Sequence, residues 1–349
     1  MADERAARTS GRPRCEATTN SGTRCRNYAV EDGLCRIHAP TPPRDDRDDE
    51  PAVRPSGGID LLEGLRDALG DDWLDEIKDV ASFLRRRLTG DYDVDEFGFD
   101  ADLTEHVLVP LLRPLHRYYW RVGSSGAEHI PDGGAMIVAN HAGTLPADAL
   151  MTRLDVFEHT GRHARELGAD LVFRLPFIGE IGRKTGATLA AGEDADRLLE
   201  QGELVAVWPE GFKGIGKPYR DRYKLQRFGR GGFVATALRA QAPIVPTAII
   251  GSEEIYPLLY NVKTIAKVFG LPYFPVVPQM FAIPVLGPVG LLPFPTKWFI
   301  EYGEPIDTTE YGPEAAEDPM VVFDLTDRIR ETIQQMLYKN LMGRRSVFF

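Results

Sequence analysis

The chain has 349 residues, 43% of them hydrophobic and 27% charged, with a formal net charge of −11 at pH 7. That length allows one large folded domain with appendages. The acidic balance argues against nucleic acid as a partner, and the polar stretch from Met1 to Arg14 lacks the apolar core of a secretory signal.

All three cysteines fall in the first 40 residues, so the rest of the chain has none for a disulfide, which suits a reducing cytosol. Cys15, Cys25, Cys35 and His38 form a Cys-x9-Cys-x9-Cys-x2-His array. Four soft ligands separated by turn-forming residues suit a tetrahedral, structural zinc ion (Zn2+), so residues 1–40 read as a small zinc-knuckle-like module. The alternative is a tail with three free thiols. Arg12, Arg14, Arg24, Arg26 and Arg36 make this tip basic, either for an anionic surface or as solvated charge. Residues 41–58, rich in Pro, Asp and Arg, read as a linker.

Residues 59–122 read as an N-terminal helical region. Leu61, Leu62, Leu65, Leu69, Trp73, Ile77, Val80, Leu84 and Leu88 follow helical spacing, with a break expected at Gly70 to Asp72. Asp91, Asp93, Asp95 and Asp100 fail as a calcium loop because Glu96 stands where glycine is needed, and a solvated turn is expected. From Leu103 to Val122 a helix interrupted by Pro110 and Pro114 interleaves Tyr118, Tyr119 and Trp120 with arginines. It suits either the headgroup layer of a bilayer or a contact between domains.

The body, residues 123–349, alternates strands near 135–139, 187–190, 203–208, 244–249 and 297–303 with helices near 148–157, 193–201, 230–240 and 319–339. This predicts an α/β fold: a mixed, partly parallel sheet flanked by helices. Val268 to Thr296 has no charged residue but seven prolines, so it cannot span a bilayer as one helix. It reads as an apolar surface dipping into one leaflet, or as a loop packed on the sheet.

The apolar run at Ala135–Ala139 ends in Asn140-His141, and Gly143 and Pro146 then break the pattern before a helix carrying Asp148. A histidine at the carboxyl end of a strand, with a carboxylate on the next helix, can take a proton from a hydroxyl. The plain alternative is a packed histidine and a helix-start aspartate. Farther on come Val205-Ala-Val-Trp-Pro-Glu-Gly211, then Phe212 and Lys213, and Ala242-Pro-Ile-Val-Pro-Thr-Ala248. Arg227 and Arg230, beside Gly229, Gly231 and Gly232, offer an anion site or a solvated loop.

The order of these three motifs resembles the glycerolipid acyltransferases of the 1-acylglycerol-3-phosphate or lysophospholipid acyltransferase type, over roughly Gly123 to Asp307. The resemblance implies that residues 123–349 form an acyltransferase domain. It would act at the cytoplasmic face of a membrane as a peripheral or monotopic protein. The fatty acyl chain would pass from acyl-CoA or acyl carrier protein to a (lyso)glycerolipid hydroxyl. His141 would be the general base, Asp148 its orienting acid, and Asn140, Gly143, Glu210, Gly211, Lys213, Arg227 and Arg230 the substrate-binding set. Two departures stand out. Six residues separate His141 from Asp148 where the family has four, and Gly186-Ala-Thr-Leu-Ala-Ala191 lacks the arginine of the family's second motif. The second departure resembles the branch that makes diacylglycerol-derived or wax esters. The first leaves open a catalytically decayed lipid-binding or scaffold protein.

Overall fold

The computed structural model describes residue 16 and residues 73–141, 144–174, 177–268 and 273–349. Cys15, Cys25, Cys35 and His38, the 41–58 linker, the first half of the expected helical pair and Gly143 lie outside the described residues.

The core is a seven-stranded sheet in the order β1-β9-β6-β2-β5-β3-β4. The strands are β1 (Gly123–Ser125), β2 (Ala135–Ala139), β3 (Ala164–Gly168), β4 (Thr188–Leu189), β5 (Leu204–Val207), β6 (Ile244–Ile250) and β9 (Phe299–Tyr302). A separate antiparallel pair joins β7 (Tyr260–Asn261) to β8 (Pro275–Val276). Strands β6, β2, β5, β3 and β4 run parallel, whereas β9 enters antiparallel to β6 and carries β1 parallel to itself. The sheet is therefore mixed and mostly parallel, as expected from the alternation of strands and helices.

Strands β2 and β6 are buried at every position, which is why they read as unbroken apolar runs. The pleat divides β2 between two cores. Met136 and Val138 face one layer with Val234, Leu238, Ile329, Ile333 and Leu337, drawn from the Gly232–Arg239 and Pro319–Gly343 helices. Ala135, Ile137 and Ala139 face the other, with Met151 and Leu154 of the Ala147–Thr160 helix and Leu112 of the N-terminal helical run. In register, Val138 lies beside both Val207 and Pro246, so the ends of β2, β5 and β6 fall side by side.

Two sequence expectations change, and a strand outside the predicted set, β3, appears. The prolines at 110 and 114 do not interrupt the helix. Residues 101–119 wind continuously, with π-helical turns at Thr104–Leu108 and Leu115–Tyr119 flanking the α-helical Val109–Pro114. Widening the turn accommodates a residue that lacks an N–H and crowds the preceding carbonyl. The aspartate-rich turn is not merely solvated. Asp95 pairs with the buried Arg165 at 2.7 Å, and Asp100 caps the Ala101–Leu103 turn while accepting from Arg87 at 2.7 Å. Strand β3 breaks the apolar pattern with Arg165, whose charge is met by Asp95 and by the Phe97 and Phe99 rings, 5.5 and 4.7 Å away.

The proline-rich segment forms a helix at Gln279–Leu286 and a 3-10 turn at Gly287–Leu291. Among the described residues, no helix is long and apolar enough to cross a membrane.

Candidate active site

At the end of β2 the Asn140 side chain continues the ladder that the backbone leaves. Its Nδ2 donates to the Ile249 carbonyl at 3.0 Å, and its Oδ1 accepts from the Ile249 N–H at 2.7 Å. Asn140 is fully buried. Both ends of its amide thus hold β2 to β6, and they set the direction in which the next residue, His141, leaves the sheet.

The chain then turns at Thr144, which adopts φ +66°, an uncommon conformation for a threonine. The Thr144 hydroxyl donates to the Tyr256 carbonyl at 3.0 Å, and the Tyr273 hydroxyl donates to the Thr144 carbonyl. The Ala147 N–H returns to the Leu145 carbonyl at 2.8 Å as the Ala147–Thr160 helix begins. The resulting bulge delivers Asp148 to the imidazole: His141 Nδ1 lies 2.8 Å from Asp148 Oδ2. Asp148 Oδ1 accepts from the Ala149 N–H at 2.9 Å. Both residues are buried, so the contact is shielded from water. With Nδ1–H donated to a carboxylate, Nε2 carries the lone pair.

Burial by itself would lower the His141 pKa. The Asp148 charge and hydrogen bond, helped by Glu166 and Glu210, outweigh burial and raise it above the ordinary histidine value.

Glu210, just past β5, holds the imidazole's backbone. Its Oε1 accepts from the His141 N–H at 3.0 Å and its Oε2 from the Gln226 N–H at 2.6 Å. Behind it Lys217 is buried, with Nζ 3.6 Å from Glu210 and 3.1 Å from Glu253. Lys217 is thereby enclosed between two carboxylates and withdrawn from solvent. Burial pushes the Glu253 carboxyl up to about 7 against the pull of Lys217. Gly211, at φ +54°, turns the chain into the short Phe212–Ile215 helix, where Lys213 is exposed. Gly214 on that helix packs directly on the histidine. A Cβ there would stand 2.5 Å from the His141 carbonyl oxygen and 3.1 Å from the His141 Cβ. The Trp208 ring lies 5.9 Å from the imidazole, centroid to centroid.

Apart from the exposed Lys213, the expected site residues that the structure describes divide into two groups. Asn140, His141, Asp148, Glu210 and Gly211 gather where β2 and β5 end. Arg227 and Arg230 line a groove of about 550 Å³ with Phe228, Val322, Phe323 and Arg330, and neither His141 nor Asp148 lines it. The motifs do not single out Gly214, Tyr256 or Tyr273. A glycine and two tyrosines among apolar residues carry no local signal of which loop they will meet.

A second histidine–aspartate contact, His116 Nε2 to Asp155 Oδ1 at 3.2 Å, uses the same helix. Asp155 there is buried and also accepts from Ser124 and Tyr302, so it serves to join elements.

An Acyltransferase family model matches residues 121–250. An uncharacterized protein of Mycobacterium bovis is 57% identical over 286 residues, which cover 81% of this chain and 79% of that protein. A protein of Bos taurus described as a DGAT1/2-independent enzyme synthesizing storage lipids is 22% identical over 215 residues, 62% of this chain and 58% of that one. Among solved structures, the 1-acyl-sn-glycerophosphate (LPA) acyltransferase PlsC from Thermotoga maritima matches with a TM-score of 0.43 and 18% identity, covering 69% of this chain and 82% of that chain.

Proposed function

We propose that the chain, a member of the acyltransferase family, is a glycerolipid acyltransferase that esterifies a lipid hydroxyl at a membrane surface with His141 as general base. The observation that carries this reading is the buried 2.8 Å contact between His141 Nδ1 and Asp148, which leaves Nε2 for the acceptor. In the reaction, the acceptor hydroxyl gives its proton to Nε2 as its oxygen attacks the thioester carbonyl carbon. The new C–O bond forms, the C–S bond breaks, and the leaving thiolate takes the proton back from the imidazolium. The net change is one ester and one free thiol for one thioester and one hydroxyl. Asp148 fixes the tautomer and offsets the charge that forms on the ring. The test is lipid extraction after incubation with radiolabelled acyl-CoA, wild type against His141→Ala. Equal incorporation by both proteins would remove His141 from the mechanism.

A neutral acceptor, in the manner of diacylglycerol or wax-ester formation, is the second reading. The lack of a cation in Gly186–Ala191 favours it, as does the storage-lipid description of the Bos taurus relative. A decayed scaffold fits less well, because His141 and Asp148 keep their 2.8 Å contact at the carboxyl ends of β2 and β5, where such sheets bind ligands, despite the longer spacing.

Membrane contact would be peripheral and confined to the cytoplasmic leaflet. Supporting it, Phe281, Val285, Leu286, Val289 and Leu292 stand exposed on the proline-rich segment, with Leu111 and Tyr118 on the N-terminal helical run. Tyr119, Trp120 and Arg121 donate side-chain hydrogen bonds to the successive carbonyls of Pro293, Phe294 and Pro295, tying that run to this segment. At the other end of the chain, the ligand spacing supports one structural zinc on Cys15, Cys25, Cys35 and His38. Metal analysis of the full chain and of a Cys25→Ser variant tests it, and equal zinc in both would place the ion elsewhere.

A further inference from the structure

The groove beside the Gly232–Arg239 helix gathers three arginines to which the proposed reaction gives no task. Arg227, Arg230 and Arg330 line it against a single acid, Asp327, 3.7 Å from Arg330. Arg227 and Arg230 form no ion pair among the described residues. On a chain of net charge −11, a concave surface with three guanidinium groups is a local inversion of sign. Such an inversion focuses anions.

The groove is also firmly built. Gly231 takes φ +78°, and a Cβ there would come within 2.6 Å of Val322 and 2.7 Å of Thr326, so the arginine loop is seated tightly on the Pro319–Gly343 helix. Phe228 and Val322 form an apolar floor, and the Phe323 ring is 55% exposed at the side. The volume is that of a small-molecule site.

Its position relates it to the proposed base. One carboxylate, Glu210, accepts from the His141 N–H through Oε1 and from the Gln226 N–H through Oε2, and Arg227 is the next residue. Because the Gly232–Arg239 helix precedes a parallel strand, β6, it begins at the sheet edge where β2 and β5 end.

We infer that this groove holds the nucleotide of a coenzyme A thioester, with Arg227, Arg230 and Arg330 on its phosphates and Phe323 against its base. The inference rests on the acyltransferase reading and deepens it by choosing the donor. Several guanidinium groups suit several phosphates. An exposed ring beside them suits a purine, and the flexible pantetheine arm would run from there toward the sheet edge that carries the imidazole. A carrier protein presents a convex surface that a recess of this size does not match. A lipid phosphate would bring acyl chains, and none of the exposed apolar side chains of residues 279–292 lines the groove.

The test uses the full chain and the triple variant Arg227→Gln/Arg230→Gln/Arg330→Gln, with melting temperature as a check on folding. Acyl-CoA is compared with the corresponding acyl-pantetheine, which has the same reacting end and no nucleotide. The preference for acyl-CoA, as a ratio of kcat/KM values, is expected to fall roughly 10- to 100-fold in the variant. An unchanged ratio would overturn the proposal, as would loss of activity only with an acyl carrier protein donor. Binding of 3′,5′-ADP, measured calorimetrically without any turnover, is expected in the wild type and lost in the variant. Equal 3′,5′-ADP affinity in the two proteins overturns the groove assignment, as does loss in the variant of binding to phosphatidic acid vesicles alone. If the wild type transfers no acyl group from any donor, it is the acyltransferase reading that fails, and 3′,5′-ADP binding still decides the groove.

Discussion

His141 Nδ1 and Asp148 Oδ2 are 2.8 Å apart although six residues separate them in sequence. The bulge at Thr144 to Pro146 takes up the extra length, and the Asp148 carboxylate remains in the first helical turn. If the two act as a unit, Asp148→Asn, which keeps the shape but removes the charge and can hold the wrong tautomer, lowers turnover toward that of His141→Ala. That loss is on the order of 10²- to 10⁴-fold. The double variant is then little worse than either single one. Since asparagine caps a helix about as well as aspartate, near-normal turnover together with a normal melting temperature in Asp148→Asn would reduce Asp148 to a helix-start residue.

The direction of the His141 pKa sets the expected pH profile. A base works deprotonated, and Asp148 holds the imidazole proton to higher pH than usual. The rate therefore falls as pH drops through a midpoint above the ordinary value of about 6.5. Asp148→Asn moves that midpoint down, whereas an unmoved midpoint would assign the titration to another group. Stability follows the same sign. Both His141 and Glu253 hold protons more tightly folded than unfolded, so their contributions are complete at low pH. They are lost as pH rises, for Glu253 through about 7. Glu253→Gln should flatten the decline of melting temperature between pH 5 and pH 8 measured on the wild type.

Gly214 separates steric from conformational demand. A Cβ at Gly214 meets the His141 carbonyl oxygen at 2.5 Å and the Glu210 Cβ at 2.8 Å, both on rigid neighbours. Gly214→Ala should therefore displace the imidazole and lower kcat by roughly 100-fold, as expected when a proposed base is moved by an ångström. At Gly211 a Cβ would meet nothing within 4 Å, and only the φ of +54° resists it. Gly211→Ala should cost about 1–3 kcal/mol of stability and less activity. Equal kinetics in the two variants would mean that the contact with His141 has no catalytic consequence.

How far this was legible in the sequence depends on how local each signal is. The runs at 135–139 and 244–249 coincide with β2 and β6 because strands buried on both faces are apolar throughout. Strand β3 escaped because Arg165 and Glu166 break such a run, and what makes Arg165 tolerable, Asp95, lies 70 residues earlier. At the site, His141 and Asp148 stand in one motif. The tasks of Asn140 and Glu210 emerge only once the strands are paired, since each spends its polar atoms on backbone groups far along the chain. The sequence does not single out Lys217, because composition carries no trace of the two glutamates that enclose it. Tyr273 reaches the Thr144 carbonyl across a turn that no periodicity announces.

The apolar segment yields the last prediction. Phe281 and Val285 lie one turn apart on the Gln279–Leu286 helix, and both are exposed. A side chain of this size contributes about 1.5–3 kcal/mol when taken fully out of water. Phe281→Asp with Val285→Asp should thus weaken binding to phospholipid vesicles by at least roughly 100-fold, measured by flotation. High salt should have little effect on the wild type, because burial of apolar surface is not screened as charge is. The segment connects to the site: the Tyr256 hydroxyl donates to the Leu291 carbonyl at 2.7 Å, and the Tyr256 carbonyl accepts from Thr144 in the turn between His141 and Asp148. Docking of residues 279–292 would then bring the lipid phase to the loop that carries the dyad. Complete release of the wild type by salt alone, or unchanged vesicle binding in the double variant, would leave only electrostatic contact with the membrane.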